Sequence, residues 1–148
     1  REFRAAIGNR IFGCDDCLAI CPWNKFASLA SEQKLTANAG GELPPLADLL
    51  RLDDAGFRRH FAGTPVRRAG HERFLRNVLI AAGNSGDKAL IPPVETFLQH
   101  PASLLRAMAV WALRQLLDDD VWASLHRRYA PHEADEAVRA EWQDGQLG

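Results

Sequence analysis

Nine residues recur thirty positions apart in this chain. "FLRNVLIAA" at 74–82 aligns with "LLRAMAVWA" at 104–112, pairing Leu75 with Leu105, Arg76 with Arg106, Val78 with Met108 and Ala82 with Ala112. A fainter copy, "AVRAEW", lies at 137–142. Within the two full copies the apolar residues fall at three- and four-residue steps, the period of one helix face. A period near 30 with two helices per unit predicts an α-solenoid of the HEAT type. One helix pair cannot bury its own apolar face, so neighbouring units must stack. The competing arrangement is a helical bundle with coincidental similarity.

The rest of the chain after Leu46 fits that expectation. "PLADLLRL" predicts a short helix with Pro near its start. Asp53 is placed to N-cap "DAGFRRHFA", and Gly63 follows where a left-handed residue is needed. "HERFLRNVLIAAG" should be a helix ending at Gly83. A helix is expected from Pro92 and Pro93 to Gln99, and "PASLLRAMAVWALRQLL" should be the longest apolar one. "DDDVWASLHRRY" and "PHEADEAVRAEWQ" complete the set. Alternating β-branched runs are lacking, so no strand is expected.

The three cysteines all lie in "IFGCDDCLAICPWNKF", residues 11–26, spaced C-x2-C-x3-C with Pro22 behind the last. A disulfide framework fits poorly, because the number is odd and no secretory leader is visible at the start. A thioredoxin-type pair needs a strand and helix that this segment lacks. Structural zinc sites usually carry a second Cys or His pair, and His60 and His71 stand apart from the cysteines and from each other. The best fit is iron–sulfur. The spacing reproduces the last three positions of the ferredoxin pattern C-x2-C-x2-C-x3-C-P, whose fourth cysteine ligates a second cluster. Where that pattern keeps its first cysteine this chain has Ile11. Cys14 and Cys17 should therefore share one cluster, and Cys21, a helical turn further on, should serve another. Zinc, or buried thiols without metal, are the alternatives.

Composition sets few limits. The chain has 148 residues, 47% hydrophobic and 25% charged, the profile of a globular protein. No apolar run approaches the roughly 18 residues of a membrane span, so no membrane partner is expected. The net charge of −1 predicts nothing by itself, but its distribution does. Between Arg51 and Arg76 stand seven arginines against Asp53, Asp54 and Glu72; from Asp118 onward there are eight acids against three arginines. This asymmetry suggests a basic face for a polyanion and an acidic tail, against the plainer alternative of a mixed solvated surface. The first residue is not Met, which leads us to expect a piece of a longer chain. The expected class is mainly α. A partial ferredoxin-like cluster segment spans 1–27 and a connector rich in Gly, Pro and small residues spans 28–45. A HEAT-like helical domain of about two to three helix pairs spans 46–148.

"IGNRIFGCDDCLAICPWNKFA" closely resembles the second cluster motif of the epoxyqueuosine reductases, and "FAGTPVRRAGHERFLRNVLIAAGNSGD" resembles the start of that family's C-terminal HEAT-like domain. The resemblance runs in order from residue 1 to about residue 117 and implies a specific function. The family reduces the epoxide of epoxyqueuosine at the tRNA wobble position, giving queuosine. It uses cobalamin and two [4Fe–4S] clusters, which pass electrons to a cobalt whose reduced form attacks the epoxide. By the family pattern Cys14 and Cys17 bind one cluster with upstream cysteines, and Cys21 completes the other. Asp15 and Asp16 would approach the corrin. The family's catalytic acid and most of its cobalamin pocket lie in an N-terminal domain, so no catalytic residue is expected here. The implied partners are tRNA carrying epoxyqueuosine in its anticodon and an external electron donor. A cytoplasmic monomer is expected. Three thiolates divided between two clusters complete neither, so the chain alone should be neither a competent reductase nor a proper holder of iron. An iron–sulfur carrier with a helical docking domain, or a HEAT-like zinc-binding interaction module, are the alternative functions.

For tRNA contact the sequence offers Arg67, Arg68, Arg73 and His71, at the entrance of a predicted helix, with Arg58, Arg59 and His60 nearby. Arg76 and Arg106 sit inside the repeats and should bond carbonyls or acids of their neighbours. Phe74 and Trp111 should be core. Trp23 should shield a cluster from water.

Overall fold

The structure, a computed structural model, describes residues 2–13, 16–23 and 44–144. The chain divides into two units, one of residues 1–12 with 45–148 and one of residues 13–44. Among the described residues the structure is helical and holds no strand. Residues 1–12 group with the helical unit. Of the expected connector, only residues 44 and 45 are described.

The helical unit begins with a one-turn helix, α1 (Arg4–Ile7). After the second unit, which carries α2 (Asp16–Ala19), come α3 (Leu46–Leu50) and α4 (Asp54–His60). Asp53 caps α4 as the sequence predicts, its carboxylate accepting the Gly56 N–H at 2.6 Å. A 3-10 turn (Pro65–Ala69) leads into α5 (His71–Asn84). The stretch with the prolines folds as α6 (Ile91–Glu95), continued to Gln99 as a 3-10 turn. The unit closes with α7 (Ser103–Leu116), α8 (Asp119–Tyr129) and α9 (Glu136–Asp144).

The two full repeat copies are α5 and α7, and they pack on one another at the centre of the unit. Leu75, Val78 and Ala82 are buried on one side, and Leu105, Met108 and Ala112 on the other. Burying each large apolar side chain of this kind is worth about 1.5–3 kcal/mol. The core continues through α9, where Val138 and Trp142 are buried, and through Leu49, Phe57 and Phe61. Phe57, Phe61 and Phe74 form an aromatic knot with centroids 4.9–5.3 Å apart.

Gly83 corrects an expectation. It lies inside α5, whose helix runs on to Asn84, and does not end it. A Cβ there would meet Trp111 at 2.7 Å and the Ala112 Cα at 2.9 Å. Its role is to let α7 approach, which only a residue without a side chain allows.

Candidate cluster segment and basic face

Cys14 and Asp15 lie outside the described residues. Asp16 opens the single turn of α2 and is exposed, as is Cys17 behind it. Cys21 follows the turn and is half-buried; both described cysteines are free thiols. Trp23, expected as a shield, is 73% exposed in this chain. Among the described residues no group of three or more His, Cys, Asp or Glu is placed to hold a metal ion.

The basic residues between Arg58 and Arg73 come from three elements. Arg58, Arg59 and His60 close α4, Arg67 and Arg68 close the 3-10 turn, and His71 and Arg73 open α5. Arg58 is paired with Asp54 at 2.6 Å. Arg59, Arg67, Arg68 and Arg73 are exposed. No side chain caps the start of α5, where Gly70 holds a φ of 81°. A shallow cleft of about 430 Å³ lies there, lined by Ala69, Gly70, His71 and Arg73 and by the acids Asp54 and Glu72. His71 is half-buried, its Nε2 lying 2.7 Å from the Leu52 carbonyl oxygen and its ring 5.4 Å from Phe57. That nitrogen donates inward, so the imidazole is engaged in joining α5 to the α3–α4 turn.

The repeat arginines are used within the fold. Arg106 forms a two-pronged pair with Glu133 at 2.9 Å and donates to the carbonyls of His100 and Pro101. This bond holds Glu133 below the ordinary carboxylate range and raises Arg106 in return. Asp135 is also lowered, first by the backbone N–H of Val138 that it accepts at the start of α9. Phe74 is buried, and Trp111 is half-buried beneath the Arg4 guanidinium.

A polar tie that the sequence reading missed holds residues 4–11 to the helical unit. Arg4 grips Glu141 of α9 through two bonds of 2.7 and 2.8 Å, with side chains only 12% and 7% exposed. Asn84 donates to the carbonyls of Arg4 and Gly8, both at 2.8 Å. Asn77, one face-repeat earlier on α5, donates to the Ile11 carbonyl at 2.7 Å. The only local signal is two asparagines seven apart beside an apolar stripe, which places them on one helix face.

Fold and site together define a class: a unit that is helical among the described residues, with exposed arginines on α4, the 3-10 turn and the start of α5, carried on the same chain as a thiol-bearing segment. No protein-family model matches the chain. Epoxyqueuosine reductase of Xanthomonas campestris is 43% identical over 115 residues, 77% of this chain and 32% of that protein. The Alicycliphilus denitrificans enzyme of the same name is 44% identical over 120 residues, 76% of this chain and 33% of that one. A crystal structure of epoxyqueuosine reductase with an epoxyqueuosine-modified tRNA stem loop superposes with a TM-score of 0.87 at 27% identity. The match covers 97% of this chain and 38% of that one. The chain belongs to the epoxyqueuosine reductase family and spans about a third of the length of the curated relatives it matches.

Proposed function

We propose that this chain is the C-terminal portion of a tRNA epoxyqueuosine reductase, the oxidoreductase that converts epoxyqueuosine at the wobble position to queuosine. The observation that carries the reading is the likeness over 97% of the chain to a reductase crystallised with its modified stem loop, which takes in both units. Residues 1–27 are then the closing part of a ferredoxin-like segment, residues 28–45 a connector, and residues 46–148 a HEAT-like domain that docks tRNA. The protein acts as a cytoplasmic monomer supplied by an external electron donor. No described helix is long and apolar enough to cross a membrane.

The donor set suits iron–sulfur clusters in kind, because Cys17 and Cys21 are free thiols and thiolates are the ligands such clusters take. It does not suit them in number. Cys14 and Cys17 would hold one [4Fe–4S] cluster and Cys21 the other, with the remaining ligands from outside residues 1–148. Bound clusters would supply electrons; this chain contributes thiolates and the scaffold behind them. Asp15 and Asp16 are the residues assigned to the vicinity of cobalamin.

Arg67, Arg68 and Arg73 are the residues assigned to tRNA phosphate, with His71 beside them. Such contacts supply affinity and register, not base readout. Two experiments test the reading. The full-length parent gene should restore queuosine in a strain lacking the reductase, and the purified parent should contain cobalamin. Persistence of epoxyqueuosine, or a protein without cobalamin, would remove the assignment in favour of an electron carrier. Reversing Arg67 and Arg68 to Glu should weaken tRNA binding and flatten its salt dependence, by about 0.7–0.9 in slope for each phosphate no longer neutralised. An unchanged affinity and slope would sink the docking role of those two.

A further inference from the structure

We propose that the cleft at the openings of α7 and α9 receives one unpaired base of the RNA. The inference rests on the tRNA-docking reading and adds to it a contact with a base. The cleft has a volume of about 440 Å³, within the range of small-ligand sites. Its floor is apolar: Leu98, Val110, Val138 and Trp142 line it and are at most 7% exposed. Its rim is polar, with Gln99 and His132 exposed and His100 and Tyr129 half-buried. A nucleobase has the same division, apolar faces bounded by an edge of hydrogen-bond donors and acceptors.

The charges favour a neutral ring over a phosphate. Arg106 lines the cleft, but its guanidinium is engaged by Glu133 and by the carbonyls of His100 and Pro101. The Glu133 carboxylate is neutralised in the same pair and also accepts the Asp135 N–H at 2.9 Å. His100 accepts the Ala102 N–H through Nδ1 at 3.1 Å, so the neutral ring carries its proton on Nε2 and donates from there. Tyr129 adds a hydroxyl and a ring, with the Arg128 guanidinium 5.3 Å from the ring centroid.

The cleft also lies on the edge that the arginines occupy. Arg4 meets Asn84 at the end of α5, Trp111 in the second half of α7 and Glu141 in the second half of α9. The first turns of these three helices therefore face the opposite edge. Arg67, Arg68 and Arg73 stand there at the entrance of α5, and the cleft stands there at the entrances of α7 and α9. RNA whose phosphates are held by the arginines would run its neighbouring nucleotides along this row of helix entrances.

The test titrates an anticodon stem loop into the 148-residue chain and its variants at several salt concentrations. Ala134→Trp fills the cleft from an exposed position, and Gln99→Ala with His132→Ala strips the rim without touching the core. Each variant should weaken binding about tenfold, the effect of one stacked base, and leave the salt slope unchanged because no phosphate contact is lost. An abasic nucleotide at one loop position should cost the unaltered chain a similar factor and cost Ala134→Trp little more. Unchanged affinity in both variants, with the Arg67 and Arg68 dependence intact, would overturn the base site and leave the docking reading standing. A flatter salt slope in either variant would also overturn it, since the cleft would then be holding phosphate. A stem loop that does not bind the unaltered chain would remove both readings.

Discussion

Three arginines occupy the same place in the repeat, and two of them behave alike. Arg106 donates to the carbonyls six and five residues before it, those of His100 and Pro101. Arg139 does the same with Glu133 and Ala134. Arg76 instead bonds the neighbouring Asn77. The helix starts explain the difference. Arg106 is the fourth residue of α7 and Arg139 the fourth of α9, so the carbonyls behind them lie in the loop, outside the helical ladder. Arg76 is the sixth residue of α5. There the equivalent carbonyl, on Gly70, already accepts the Phe74 N–H. An earlier helix start removes the loop clamp and releases one guanidinium for another task.

The largest expected effect lies at the α5–α7 contact that these arginines flank. Gly83→Val should cost about 3 kcal/mol, because the new atoms meet the Ala112 backbone, which cannot move aside cheaply. Gly83→Ala should also destabilise, although Ala favours helix by about 1 kcal/mol. Urea melts of both variants check this. A more stable Gly83→Ala would show that the helices can separate at no cost.

Arg106→Ala comes next, at about 2 kcal/mol, since it strands a largely buried Glu133 and leaves two loop carbonyls without their donor. Its effect should depend on pH. Glu133 and Asp135 both titrate below their ordinary values when folded. Groups with depressed folded values add stability above the unfolded carboxylate range, near 4.5 for Glu133, and lose it as pH falls through the folded values. Removing Arg106 removes the leading cause at Glu133. The acid side of the stability curve should become shallower, and variant and parent should converge toward low pH. Parallel curves would mean that the pair adds nothing specific to the charged state.

Much of this helical frame was open to inspection in the chain alone. The apolar steps of α5 and α7 and the Asp53 cap are local patterns, and local patterns survive folding because the bonds they make are three or four residues long. Gly83 misled for the same reason: a glycine after an apolar run resembles a helix end, and its true cause, Trp111 and Ala112, lies some 28 residues away. The Arg4–Glu141 pair joins residues 137 apart, and no spacing rule reaches so far. His71 shows the limit of charge-counting. It stands among arginines in sequence, yet its Nε2 is bonded to Leu52. The cluster assignment of the cysteines stands on their spacing as a proposal, because Cys14 and Asp15 lie outside the described residues.

Arg139→Ala should matter less than Arg106→Ala, within about 0.5 kcal/mol, because it is exposed and its bonds compete with water. If its cost equals that of Arg106, the loop clamp carries the energy and the Glu133 pair does not.

Arg76→Ala should have the smallest effect on global stability, about 0.5 kcal/mol or less, since no carboxylate is left unpaired and the partner is a neutral amide. Its effect on residues 4–11, which Asn77 and Asn84 tie to α5, should be larger than that number suggests. Without the guanidinium the Asn77 amide can turn, presenting its oxygen to the Ile11 carbonyl for part of the time. Exchange at Arg10 should then accelerate, but less than in Asn77→Ala, while the melting temperature barely moves. A large loss of stability would place Arg76 with Arg106 and Arg139 as a structural clamp. Unchanged exchange would mean that Asn77 keeps its orientation unaided, and that the sixth-residue arginine of α5 is spare.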